Sequence, residues 1–153
     1  AAAAAQARVT AGLHAARARR QATEGVPTAE RCAGLGAEVG LARRTSPHRG
    51  RTQVGVALAL TREMPHTLAA LSAGVIDEWA ATLLVRETAV LTVEHRAEVD
   101  RLLLHPEVGL FHGSGWGTRK LADEARRLCG EAFPDLVGQE VTDRDGKGQG
   151  DRS

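Results

Sequence analysis

The sequence predicts an all-α fold, an irregular bundle of six or seven helices with a helix-turn-helix-like element. Three observations carry that expectation. Aromatic residues make up 3% of the chain (Phe111, Phe133, Trp79 and Trp116, with no tyrosine), whereas strand-rich domains lean on aromatic and β-branched side chains. Alanine is the commonest residue, and with leucine, arginine and glutamate it gives a helix former's composition. After Thr118 a clean apolar stripe, Leu121, Ala125, Leu128, Cys129 and Phe133, keeps the spacing of one helix face. At 153 residues the chain has the length of one domain.

Each element has its own signal. Ala2 to about Ala22 reads as a helix with a thin stripe of Val9, Leu13 and Ala16, ended by Gly25. Pro27 suits a first turn, and Thr28 to Arg44 reads as helical, weakened by Gly34, Gly36 and Gly40. Thr45-Ser46-Pro47 is a break, because the residue before a proline is pushed out of the helical region. Arg51 to Glu63 follows. Its apolar run from Val54 to Leu60 suits a buried helix or a strand, and its alanines and charged flank favour helix. Pro65 opens a short helix that Gly74 caps. Ile76 opens another, with Ile76, Ala80, Leu83 and Leu84 on one face and Asp77 and Glu78 near the positive end of its dipole. Thr92 is the N-cap of a helix that runs to about Leu104 and is closed by Pro106. Residues 105–117 read as a loop, and Thr118 as the cap of the last helix.

Three segments result: a loosely attached N-terminal helix over 1–26, a helical domain over 27–138, and a tail over 139–153. The tail is too polar to offset its ordering entropy and is expected to be disordered. The expected core comprises Trp79, Leu83, Leu103, Leu121, Leu128 and Phe133.

A net charge of +1 conceals an asymmetry. Residues 1–62 carry ten arginines against three acids, a charge of +7, and the remainder carries −6. Such a division points to a polyanion meeting one face, or to two halves that attract each other. No apolar run approaches the roughly 18 residues of a membrane span, so no membrane partner is expected. No basic segment precedes an apolar one at the N-terminus, so no signal peptide is read. Cys32 and Cys129 form neither a disulfide framework nor a metal cluster, which fits a reduced, cytoplasmic protein.

Catalytic signatures are weak throughout. Six histidines (His14, His48, His66, His95, His105, His112) lack the spacing of a zinc site, so no metal is expected. The pairing of His95 with Glu94 or Asp100 is of a kind that ordinary helices contain. Ser114 has glycines as immediate neighbours and no preceding strand, unlike a nucleophile elbow. Gly34, Gly36 and Gly40 miss the dinucleotide spacing, and Lys120 and Lys147, the only lysines, lie outside any phosphate loop. The sequence assigns no catalytic residue and no cofactor.

One constellation stands out, Glu38 to Leu60, which reads as helix, short turn and helix, with no acid between Val39 and Arg62. In a helix-turn-helix the second helix enters the major groove while basic residues hold the phosphates. Arg43, Arg44, Arg49 and Arg51 are the candidate phosphate contacts. Arg49, Thr52 and Gln53 are the candidate exposed readers, with Val54 and Leu58 turned inward. The plain alternative is a helical hairpin whose arginines are merely solvated.

Pro65, Thr67 to Leu71, Ala73-Gly74, Ile76, Glu78-Trp79, Glu87-Thr88, Leu91, His95-Arg96 and Val99 also form a pattern. In it the chain resembles an actinobacterial domain of unknown function that precedes an HNH endonuclease module, as in the mycobacterial REP-element repeat family. Glu38-Val39 with Ser46-Pro47 is similar to that family's helix-turn-helix-like stretch, and Leu121 to Leu128 to its next arginine-studded helix. The resemblance covers about residues 28–133. It implies association with DNA-processing proteins, but the His-Asn-His module is absent from these residues, so no DNA cleavage is expected of them. Two functions follow as expectations. One is a non-catalytic accessory domain that contacts DNA through the basic half. The other is a packing domain for a nuclease module or another copy of itself.

Overall fold

The computed structural model describes residues 2–132. Among them are seven α-helices and no strand: α1 (Ala2–Thr23), α2 (Leu35–Ala42), α3 (Pro47–Arg62), α4 (Pro65–Ser72), α5 (Glu78–Glu87), α6 (Val93–Leu104) and α7 (Thr118–Ala132). A single 3-10 turn, Thr28–Glu30, lies between α1 and α2. The fold is therefore all-α, and the Val54–Leu60 run is helical. No helix among these residues is long and apolar enough to cross a membrane. The tail over 139–153, and Phe133, lie outside the described residues.

Helix ends follow local chemistry. α1, α2 and α4 each finish with a residue in the left-handed region: Gly25 at φ 79°, Arg44 at 56° and Gly74 at 74°. The next N–H then reaches the carbonyl five residues back, Val26 to Gln21 at 2.9 Å, Thr45 to Gly40 at 2.7 Å and Val75 to Ala70 at 2.9 Å. Ser46 caps α3 and Thr92 caps α6, each accepting at Oγ or Oγ1 a 3.2 Å bond from the N–H three residues on.

The structure moves several boundaries. Thr28 to Arg44 is not one helix: Cys32 (φ 62°) and Gly34 (φ 81°) reverse the chain, and α2 starts only at Leu35. α3 begins at Pro47, four residues before Arg51, because the proline fills a first-turn position that needs no N–H donor. α5 begins at Glu78 rather than Ile76, and Thr118 is the first residue of α7 rather than its cap.

The chain divides into two compact units, with the boundary between Asp77 and Glu78. In the first unit α2 packs most extensively on α3, and α1 lies along α3 and α4. The seam between α2 and α3 runs through glycines. A Cβ on Gly50 would stand 1.9 Å from the Gly36 carbonyl oxygen and 2.6 Å from the Gly40 nitrogen. One on Gly36 would stand 2.9 Å from the Arg51 Cα, and one on Gly40 would stand 2.6 Å from the Ser46 carbonyl oxygen. The two backbones touch. α1 repeats the pattern with Ala4, Ala7 and Thr10 buried, while Val9 is 72% exposed and Leu13 is exposed as well, contrary to the stripe read from sequence.

In the second unit α7 packs chiefly on α5 and also on α6. Leu121, Ala122, Ala125 and Cys129 of α7 are buried, as are Ala80, Ala81, Leu84 and Val85 of α5 and Val99, Leu103 and Leu104 of α6. Buried Thr88 donates to the Leu84 carbonyl at 2.7 Å and accepts from Arg96 Nε at 3.0 Å. Of the expected core, Leu103 and Leu121 are buried, and Leu83 and Leu128 are half-buried. Trp79 is 55% exposed, because the inward face of α5 is already filled by its alanines, Leu84 and Val85. The Arg86 guanidinium stands over its indole ring at 5.7 Å.

The backbone seam makes a sharp contrast within α3. Gly50→Ala forces a methyl into fixed backbone and should destabilise the first unit by about 1–3 kcal/mol or more. Gly55→Ala, where a Cβ meets nothing within 4 Å, should stabilise it by about 0.5–1 kcal/mol. Chemical denaturation of both variants measures the difference, and equal effects would show that the seam is not in contact.

Candidate nucleic-acid interface

α2, a four-residue connection and α3 build a strongly basic feature of the first unit, whose helix α1 is basic as well. The connection is held at both ends. Arg44 N–H donates to the Leu41 carbonyl at 3.1 Å, Thr45 Oγ1 reaches the Gly40 carbonyl at 3.4 Å, and the Ser46 carbonyl accepts from Gly50 N–H at 2.9 Å. Six positions were singled out from sequence, and the structure treats them differently. Arg43 is half-buried and donates to Gln6 Oε1 of α1 at 2.6 Å, so it is tied to the unit's own framework. Arg44, Arg49 and Arg51 are exposed, and none has an ion-pair partner among the described residues. The nearby carboxylate of Glu38 is taken by Arg17, and that of Glu24 faces Arg20 at 3.8 Å.

Thr52 and Gln53 are not the open readers the sequence suggested. Thr52 is half-buried and donates to the His48 carbonyl at 3.2 Å. Gln53 is half-buried, and its Oε1 is buried without a hydrogen-bond partner, so one of the two prongs an amide reader needs is turned from solvent. The reason is helical phase. α3 buries Gly50, Ala57, Ala59 and Leu60, while Val54 and Leu58 are only half-buried. His48, Arg51, Gly55 and Arg62 are exposed at spacings of three, four and seven residues, with buried Ala59 between the last two. His48 escaped the sequence reading because it began the helix at Arg51, whereas Gly55 and Arg62 lay within the helix it read, in the apolar run and at the charged flank. Ser46-Pro47 was the signal that sets the start correctly.

Comparison with protein-family models, with curated proteins and with solved structures finds no match.

Nothing else among the described residues gathers chemistry. No group of three histidine, cysteine, aspartate or glutamate side chains is placed to hold a metal ion there. Cys32 and Cys129 are free thiols, and burial, followed by the nearby Glu87 charge, pushes the Cys129 thiol up. His14 on α1 has a buried Nδ1 without a partner, and its pKa is held below 6.5 by burial first and by the charge of Arg62 second. The unfolded chain therefore takes up a proton at His14 before the folded chain does. Stability from this residue is complete above pH 6.5 and falls as the pH drops below it toward the lower folded value. Urea titrations at pH 7.5, 6.5 and 5.5 should show that loss, and His14→Gln should flatten it. An unchanged slope would show that the imidazole protonates freely in the folded state.

Proposed function

We propose that the chain is a non-catalytic helical accessory domain that contacts DNA through the α2–turn–α3 element. The observation that carries this reading is Arg44. It occupies the left-handed position that ends α2, where glycine serves α1 and α4, and a side chain there costs on the order of 1 kcal/mol. Its guanidinium is exposed and has no ion-pair partner among the described residues, so the fold gains nothing evident in return. Strain kept without structural benefit is a mark of function. With Arg49 and Arg51 it offers three cations beside the N-terminus of a helix, the arrangement by which proteins hold backbone phosphates. The resemblance to the domain that precedes HNH endonuclease modules supports the same reading. It would make the element a DNA-holding partner of a nuclease in a reducing, cytoplasmic setting.

A second reading is favoured by Trp79 and Arg86 on α5. Exposed tryptophan beside arginine is the composition of an interface hot spot, which fits a packing domain for a nuclease module or another copy of this chain.

Arg44→Gly separates the two. It should raise the melting temperature by relieving backbone strain, and weaken binding to any duplex. Log affinity against log salt should slope at about −3 for the wild type, and the variant should reduce that slope by about one. A folded wild-type chain that binds no duplex at about 50 mM salt would overturn the DNA reading and leave the packing reading in place.

A further inference from the structure

We infer that the α2–turn–α3 element grips the phosphate backbone of a duplex without reading its bases, so that it binds DNA of any sequence alike. The inference rests on the DNA reading above and deepens it by naming the class of substrate. A base edge is read by a side chain that brings open donors or acceptors into the groove. Arginine suits guanine, asparagine or glutamine suits adenine, a carboxylate suits cytosine, and a hydroxyl suits several. Between Leu35 and Arg62 there is no asparagine, and Glu38 is the one carboxylate. It is bound by Arg17 of α1.

The four hydroxyls and the one amide of this stretch are all engaged within the unit. Thr45 Oγ1 donates to the Gly40 carbonyl at 3.4 Å, and Ser46 Oγ accepts from Arg49 N–H at 3.2 Å. Thr52 Oγ1 donates to the His48 carbonyl at 3.2 Å, and Thr61 Oγ1 to the Ala57 carbonyl at 2.8 Å. Gln53 keeps its Oε1 buried. Arg51 is laid aside as well: a Cβ on Gly36 would collide with its Cγ, so its stem lies across the seam against α2. Arg44 leaves the chain at the end of α2, before α3 begins. Those two guanidinium groups therefore flank α3 instead of leading it into a groove. His48 and Arg49 are the exposed hydrogen-bonding side chains left on the first turn of α3. Cations offered without neutral readers recognise what every duplex shares, the regular charge of its phosphates.

The test titrates the full chain against three labelled duplexes of equal length, one of alternating A·T pairs, one of alternating G·C pairs and one mixed, at several salt concentrations. Wild-type affinities for the three should agree within about fivefold, the low end of what one good base contact contributes. Arg51→Gln should weaken binding to all three by the same factor and reduce the salt slope by about one. His48→Ala and Arg49→Gln should likewise shift all three together. Thr52→Val and Gln53→Met keep their volume and remove only the polar atoms, so both should stay folded and bind each duplex as the wild type does. A wild-type preference of about tenfold or more for one duplex overturns the inference while the DNA reading stands. A variant that weakens one duplex and spares the others also overturns it, and identifies that residue as a reader of bases. A folded wild type that binds none of the three at about 50 mM salt removes the DNA reading itself, and the inference with it.

Discussion

The first unit depends on one contact, the crossing of α2 and α3 backbones at Gly36, Gly40 and Gly50. A Cβ at any of these positions would come within 3 Å of backbone atoms of the other helix or of the turn, so no larger residue fits without separating the helices. That closeness fixes everything near it. The Gly40 carbonyl is both the acceptor for Thr45 N–H and the neighbour of Thr45 Oγ1, so the crossing and the turn are one structure. The turn brings Ser46 onto the start of α3, and the buried Gly50 sets the rotation of that helix about its axis. Attraction between closely fitted backbones takes the role that interdigitated leucines play in most helix pairs.

This mode of packing explains which parts of the fold were legible in the sequence. Caps and breaks are written in single residues, so Gly74, Thr92, Pro65 and Gly25 could be read directly. The face of α7 was legible because leucines mark it. The seam of α3 and the buried face of α1 were not, because hydrophobic periodicity is weighted by large side chains and these faces are made of glycine and alanine. Val9 and Leu13 therefore looked like the core side of α1, while Ala4 and Ala7 actually provide it. The same blindness rotated α3 and brought Thr52 and Gln53 to the front in place of His48 and Arg62. Cys32 and Arg44 were illegible for a different reason: neither residue type announces a left-handed backbone.

The charge asymmetry seen in the sequence acquires a more local meaning. In the second unit carboxylates are met by cations from the same unit. Arg126 binds Glu87 through two bonds of 2.8 and 3.1 Å, Arg101 holds Glu98, and Glu124 lies between Lys120 and Arg127. Hydrogen bonds from Lys120 and Arg127 hold the Glu124 carboxyl below its usual range. In the first unit, Glu24 and Glu38 engage arginines of α1, Arg43 is tied to Gln6, and Arg44, Arg49, Arg51 and Arg62 are exposed. The excess of arginine over acid in the first unit is thus shared between α1 and the α2–turn–α3 element.

Two residues on that element contradict what the fold alone would select. Arg44 stands where the end of a helix favours glycine, and Gly55 stands where the open face of a helix favours alanine. Exchanging the two kinds of residue would suit the backbone better at both positions. At other helix ends of the first unit the local choices agree with the structure: glycine ends α1 and α4, serine caps α3, and proline opens α3 and α4. Cys32, at φ 62°, and Gly12, on the open face of α1, are departures of the same two kinds elsewhere in the unit. The two departures are complementary in kind. One adds a charge where it strains the chain, and the other removes a side chain where space is free.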